Sequence, residues 1–212
     1  MEITVSGEQF ILYWQKAILW KNKNMIVLAD LHLGKVNHFR KSGIPVPLKV
    51  SEKNLEQLID LIRQAQPCRV LFLGDLFHSS YNTEWEAVRQ LIQTFVHISF
   101  ELVVGNHDIM SRNQYDRSRI SVYESELREG PFIFSHSPVE SVPDKYYNIS
   151  GHLHPGISLS GKGRQSVTLP CYYFGKQHAC LPAFGMFTGL ARIKPLKTDR
   201  IFAIVDQTIV AV

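Results

Sequence analysis

The chain has 212 residues, of which 45% are hydrophobic and 20% charged, with a formal net charge of +4. That suits one sizeable soluble globular domain, predicted to span residues 1–212. It contains no apolar run near the roughly 18 residues needed to cross a bilayer, and the opening Met1-Glu2-Ile3-Thr4-Val5 lacks a signal-peptide pattern. Three cysteines, Cys68, Cys171 and Cys180, are an odd number without metal or disulfide-framework spacing, so a reduced, cytosolic (cytoplasmic) setting is expected. The positive charge permits a polyanionic partner without requiring one.

The first thirty residues predict a β-meander, with strands over Ile3–Val5, Phe10–Tyr13, Ala17–Trp20 and Met25–Ala29 and a turn at Asn22-Lys23-Asn24. After the loop Gly43-Ile44-Pro45-Val46-Pro47, Ser51 is a candidate cap for a helix whose apolar face is Leu55, Leu58, Ile59 and Ile62. A short buried strand over Val70–Leu73 follows. Thr83 and Glu86 form a capping-box pattern before a second helix with Trp85, Val88, Leu91, Ile92 and Phe95 on one face. Ile98–Val104 is the next strand. This alternation predicts a largely parallel, helix-covered sheet. Further on, Phe132–Ser135, Tyr147–Ser150, Ile157–Leu159, Val167–Phe174 and Ile201–Val205 predict a second, more antiparallel sheet packed on the first.

Five small polar clusters sit at the ends of these apolar runs: Asp30-Leu31-His32, Gly74-Asp75, Gly105-Asn106-His107-Asp108, His136, and Gly151-His152-Leu153-His154. Ligands of open α/β sheets gather where loops converge beyond strand C-termini. Asp, Asn and His donors without cysteine suit Mn²⁺, Fe²⁺ or Zn²⁺ and not a structural zinc site. Seven ligands are too many for one cation that must also bind substrate. Two cations roughly 3.5–4 Å apart can share a carboxylate, clamp a phosphate and acidify water. Asp75, alone on a tight Gly turn, is the natural bridge. Gly74 and Gly105 fit positions where backbone turns sharply or approaches a ligand closely. His107 follows a ligand candidate and so points elsewhere; braced by Asp108, it could protonate a leaving alkoxide. His38, His78, His97 and His178 stay outside the metal set, with His38 and His78 as candidates to reach substrate. Lys35, Arg40 and Lys41 after the first cluster, and Arg112, Arg117 and Arg119 after the third, suit a phosphate-bearing substrate or simply a solvated basic surface.

The ordered set Asp-x-His, Gly-Asp, Gly-Asn-His-Asp, a solitary His and Gly-His-x-His, spanning Asp30 to His154, resembles the calcineurin-like metallophosphoesterase superfamily. The resemblance implies an α/β (mixed α+β) fold of two packed mixed β-sheets flanked by helices, an αββα sandwich. It also implies that Asp30, His32 and His154 hold one metal, that Asn106, His136 and His152 hold the other with Asp75 bridging, and that His107 acts as general acid backed by Asp108. More narrowly, Asp30–Lys35, His38–Lys41, Gly43–Pro47 and Leu181-Pro182-Ala183-Phe184-Gly185 resemble the bacterial DNA ligase-associated metallophosphoesterases. That group implies a nuclease or phosphodiesterase acting on DNA ends in DNA repair alongside an ATP-dependent DNA ligase and a helicase. Two Mn²⁺ ions are the expected cofactor, with Fe²⁺ or Zn²⁺ as alternatives. Lys35 and Arg40 would then hold a flanking phosphate, whereas Leu181–Gly185 reads by itself as core packing and a turn. Two rivals remain at this point. One is a phosphoesterase of nucleotides or cyclic nucleotides with the same chemistry; the other is a metal-bound scaffold that recruits repair partners.

Overall fold

A computed structural model describes residues 1–33, 49–77, 83–110, 112–161, 165–186 and 188–212; the side chains of residues 49–52, 83, 84 and 112 are also outside the description. Strands β1 (Glu2–Val5), β2 (Glu8–Tyr13), β3 (Ala17–Trp20) and β4 (Met25–Ala29) form the expected antiparallel meander. The Asn22–Asn24 turn is a short 3₁₀ segment, Lys21–Lys23, closed by Asn24 in the left-handed region. Helix α1 (Lys49–Ala65) already runs at Lys49, so Ser51 lies inside it and does not cap it. Then come β5 (Arg69–Leu73), helix α2 (Thr83–Thr94), β6 (Ser99–Val103), helix α3 (Arg112–Asp116) and β7 (Ile120–Tyr123). The first sheet has seven strands in sequence order, antiparallel from β1 to β4 and parallel from β4 to β7.

The second sheet is built from β8 (Glu126–Glu129), β9 (Phe132–Ser135), β10 (Tyr147–Ser150), β11 (Pro155–Ser160), β12 (Ser166–Phe174), β13 (His178–Cys180), β14 (Ala191–Arg192), β15 (Arg200–Val205) and β16 (Thr208–Ala211). Most of its pairings are antiparallel, as expected, but β9, β10 and β13 run parallel at its centre. Strands β7, β8, β13, β14 and β16 were not anticipated. They are short, and β8 (Glu-Leu-Arg-Glu) and β14 (Ala-Arg) carry almost no apolar signal.

Period-two alternation sorts the side chains of the first sheet into two cores. Ile26, Leu28, Val70, Phe72, Phe100 and Leu102 face the helices with Leu58, Ile62, Trp85, Val88 and Tyr115. Val27, Ala29, Leu71, Leu73 and Val103 face the second sheet, meeting Phe132, Phe134, Ile149 and Tyr172. Among the described residues the helices cover only the first sheet. The outer face of the second sheet carries a small cluster of Ile157, Cys171, Ile201 and Ala203 in place of a helical layer. No helix among the described residues is long and apolar enough to cross a membrane.

At the end of the sheet where β5 and β6 begin, Arg69 forks onto Glu101 (2.7 and 3.0 Å) and reaches Glu129 (2.8 Å), tying β5 and β6 to β8. Glu101 is buried, so removing only its partner strands a charge. Arg69→Met should cost about 3–5 kcal/mol in denaturant unfolding, and adding Glu101→Leu should recover much of that loss.

Candidate metal centre

The polar clusters follow strand ends, β4, β5 and β6 in one sheet and β9 and β10 in the other, with only Val104 intervening after β6. Register aligns the ends. Ala29 pairs with Leu73 and Leu73 with Val103, while Ser135 pairs with Ser150. Parallel pairing therefore delivers the loops of both sheets to one edge of the sandwich.

Beyond those ends the backbone turns left-handed, with positive φ at Asp30 (55°), His32 (49°), Asp75 (49°), His152 (67°) and His154 (47°). Such a conformation costs roughly 1–2 kcal/mol per non-glycine residue, so surrounding bonds must hold it. Asp30 N–H donates to Gly74 O (3.2 Å) and His32 N–H to Asp75 O (2.8 Å), lacing two ligand loops together. Leu153 N–H donates to Gly151 O (2.8 Å), a γ-turn with His152 at its centre. In an extended strand His152 and His154 would share a face. The left-handed turns break that rule and send the two rings to different groups.

Two ligand groups result, Asp30, His32 and His154 on one side and Asp75, His136 and His152 on the other, with the donor atoms of each within 4.8 Å of one another. Asp75 stands between them, its Oδ1 3.6 Å from His136 Nε2 and its Oδ2 3.9 Å from His32 Nε2. His154 Nε2 lies 3.5 Å from Asp30 Oδ1. The far nitrogens face carbonyls: His136 Nδ1 lies 3.1 Å from Leu73 O and His154 Nδ1 3.2 Å from Gly189 O. Protonated there, both rings turn an Nε2 lone pair inward, the arrangement metal-binding histidines use. His136 Nε2 and His152 Nδ1 converge at 3.0 Å.

Asp30 shows that this donor set fits a cation. It is fully buried; Oδ2 accepts the His152 N–H (2.8 Å), but Oδ1 has no hydrogen-bond partner among the described residues. A buried carboxylate oxygen without a donor is costly, and a divalent ion removes the cost. Binding only the folded state, Mn²⁺ at about 100 times its Kd should add about 2.7 kcal/mol of stability. The melting temperature should rise with Mn²⁺ and fall with EDTA.

The glycines of the clusters are needed for contact. A Cβ on Gly74 would enter the His136 ring, one on Gly105 the Asp75 amide and carboxylate, and one on Gly151 would reach Asp30 Oδ2 at 2.6 Å. Gly105→Ala should therefore cost about 1–3 kcal/mol of stability and lower metal content, read by thermal melting and metal analysis.

His107 and Asn106 lie on the exposed side of their loop. His107 N–H donates to Asp75 Oδ1 (2.9 Å), and its Nε2 is 4.0 Å from Asp75 Oδ2. Asp108 does not take the expected place behind His107. It is buried, one oxygen accepting from Gly105 N–H (2.9 Å) and the other from Phe77 N–H (3.1 Å), so it fastens the loops after β5 and β6. Burial pushes its carboxyl up to about 6, with those two amides pulling the other way. Arg119 is also placed differently. It bonds Val96 O in the turn that precedes β6, on the side opposite the ligands, and Arg117 is exposed on the turn leading to it. Lys35, His38, Arg40, Lys41 and His78 lie outside the described residues, as does the side chain of Arg112.

Several supports were not anticipated. Leu181–Gly185 is a strap between the sheets: Leu181 N–H bonds Ser150 O, while Phe184 and Gly185 N–H bond Ala29 O and Asp30 O. Asn54 on α1 clamps it, accepting from Met186 N–H (3.1 Å). Asn148, fully buried in β10, donates to Ile133 O and Ser135 Oγ and accepts from Val139 N–H, steadying the loop that carries His136. A buried Asn on a strand that otherwise reads Tyr, Ile, Ser was the only signal available. Cys180 donates to Gly151 O (3.2 Å), and burial pushes its thiol up to about 12, which leaves it neutral beside the site.

These loops at the edge of a two-sheet sandwich define a metal-dependent phosphoesterase. The calcineurin-like phosphoesterase family model matches residues 24–189, and the chain belongs to that family. The family implies a dinuclear divalent site, for which the two groups are the candidates. No curated protein matches the chain. Among solved structures it is similar to the Pseudomonas putida nuclease MPE, at 25% identity and a TM-score of 0.84, covering 100% of this chain and 99% of that one. It matches Yfce, a phosphoesterase from E. coli, at 13% identity and a TM-score of 0.48, covering 88% of this chain and 96% of that one.

Proposed function

We propose that this chain is a manganese-dependent phosphodiesterase acting on DNA, a nuclease of end processing or repair that works beside an ATP-dependent DNA ligase and a helicase. The observation that carries this reading is the Asp75 carboxylate set between two ligand groups, with the exposed His107 on the rim. Asp30, His32 and His154 would hold one cation and Asn106, His136 and His152 the other, sharing Asp75. The oxygen and nitrogen donors suit Mn²⁺ as well as Fe²⁺ or Zn²⁺. A divalent pair supplies Lewis acidity to a bound phosphate and makes water acidic enough to attack it.

The chain itself supplies geometry and a proton. Left-handed turns and interloop bonds hold the ligands so that little rearranges during reaction. Asp108 fixes the loop bearing Asn106 and His107. Asn106 stabilises charge on the phosphoryl oxygens, and the His107 imidazole delivers a proton to the departing alkoxide. End-to-end similarity to a nuclease supports a polynucleotide substrate. Lys35, Arg40, His38 and His78 are the proposed substrate contacts in the segments outside the described residues.

Asp75→Asn should lose most bound metal and all turnover on bis-p-nitrophenyl phosphate and DNA. His107→Ala should keep both metals by metal analysis while its rate falls by roughly 10²–10⁴. Near-wild-type turnover by either variant would refute the assignment. Activity on nucleotides but none on DNA would favour the small-molecule reading, and a Mn²⁺-loaded protein inert on both would favour a scaffold.

A further inference from the structure

The loop Gly151–Pro155 has a second side. Its ligands turn toward the metal centre, but Leu153, between them, leaves 47% of its surface exposed and forms one wall of a groove of about 280 Å³. Tyr173, His178, Pro138, Ile193 and Lys194 also line it, with Pro155 at the end of the loop and the buried Cys180. The groove is at the small end of the ~300–1,000 Å³ usual for ligand pockets, room for one flat ring system and not for a folded ligand.

Its two rings meet on one hairpin, and Tyr173 is pinned at its hydroxyl. Tyr173 and His178 face each other across the β12–β13 hairpin with centroids 5.2 Å apart and planes 37° apart. Tyr173 Oη donates to Asp199 Oδ2 (3.1 Å), which also accepts the Leu196 N–H (2.7 Å). The Tyr147 hydroxyl meets the carbonyls of Gly175 (3.0 Å) and His178 (2.9 Å), closing the hairpin. Gly175 leaves space that a Cβ would take at 2.8 Å from Tyr173 Oη. An exposed imidazole thus lies over a pinned phenol, with an exposed leucine opposite.

Cations lead to this groove from the metal centre. The segment Gly189–Lys197 starts against His154, through Gly189 O on His154 Nδ1 (3.2 Å) and Ala191 N–H on His154 O (3.0 Å). It continues along β11, with Ile193 N–H on Gly156 O (3.0 Å). Arg192, Lys194 and Lys197 are exposed on it, and no carboxylate among the described residues pairs with them. The nearby Asp199 is committed to Tyr173 and Leu196. Flat rings beside unpaired cations are the combination that binds single-stranded nucleic acid, where bases stack and phosphates are neutralised.

We propose that this groove is a nucleobase subsite: one base of a single-stranded polynucleotide, close to the bond being cut, stacks on the His178–Tyr173 pair against Leu153 while Lys194 and Arg192 take adjoining phosphates. The proposal rests on the phosphodiesterase reading above and gives it a substrate class. Because ligands and groove wall share one five-residue loop, a strand seated in the groove enters the metal centre next to it. Stacking tolerates every base, so the subsite gives grip with little sequence preference.

The test is competition. Hydrolysis of bis-p-nitrophenyl phosphate by the Mn²⁺-loaded full chain is inhibited with a thymidine dodecamer and with a dodecamer of the same phosphates lacking bases. The wild type should bind the thymidine strand roughly 5- to 100-fold more tightly. His178→Ala should bring that ratio close to one, and His178→Phe, which keeps a flat ring, should retain it. Lys194→Ala should weaken both strands alike and reduce the slope of log Ki against log salt by about 0.7. Equal inhibition of the wild type by both strands, an unchanged ratio in His178→Ala, or a ratio lost in His178→Phe would overturn the subsite while leaving the phosphodiesterase standing. A Mn²⁺-loaded wild type that hydrolyses neither bis-p-nitrophenyl phosphate nor DNA would overturn both.

Discussion

The organising constraint in this protein is the burial of Asp30. A carboxylate with no solvent exposure, one oxygen held by the His152 amide and the other without a donor among the described residues, is tolerable only beside positive charge. Among the described residues its neighbours are histidines and not Lys or Arg, so bound divalent ions would supply that charge. Histidines surround it, each with one nitrogen turned inward. Asp75, also buried, takes the His107 amide on one oxygen and couples the two groups, its Oδ1 facing His136 and its Oδ2 facing His32.

Holding such a centre requires backbone that would not adopt its conformation alone. Five ligands sit in the left-handed region, and the stabilisation offsetting that strain comes from the packed sheets behind them. The inter-sheet core of Val27, Leu71, Phe132, Phe134, Ile149 and Tyr172 fixes where strands end. Hydrogen bonds between loops, and the Leu181–Gly185 strap, fix how the chain leaves those ends. Binding site and fold are therefore linked energetically: ions held by Asp30, Asp75 and the histidines would remove a penalty that the sandwich imposes. The same loop economy extends outward, since Gly151–Pro155 presents ligands on one side and an apolar wall on the other.

Local patterns carried much of the architecture. Strands β2 to β6, β9, β10, β12 and β15, and the two main helices, lay where hydrophobic periodicity and turn residues placed them, because burial on a regular element leaves a regular trace. Short strands such as β8 and β14 left none, being held by neighbours and not by their own side chains. The parallel centre of the second sheet was also illegible, because strand direction depends on which distant segments pair.

The sequence by itself determined which donor types this protein has and that each follows a buried strand, since both are local properties. With the family resemblance it also pointed to the chemistry. Only the tertiary structure decided how those donors divide. His152 and His154 part because left-handed turns, imposed by bonds to Asp30 and Gly189, override the alternation of a strand. Asp108 became a loop fastener because its two nearest donors are backbone amides of different strand ends. Leu181–Gly185 became a strap, and Tyr173 and His178 a ring pair beside the site. In each case the deciding partner lies on another element, and only folding brings it within hydrogen-bond or ring-contact distance.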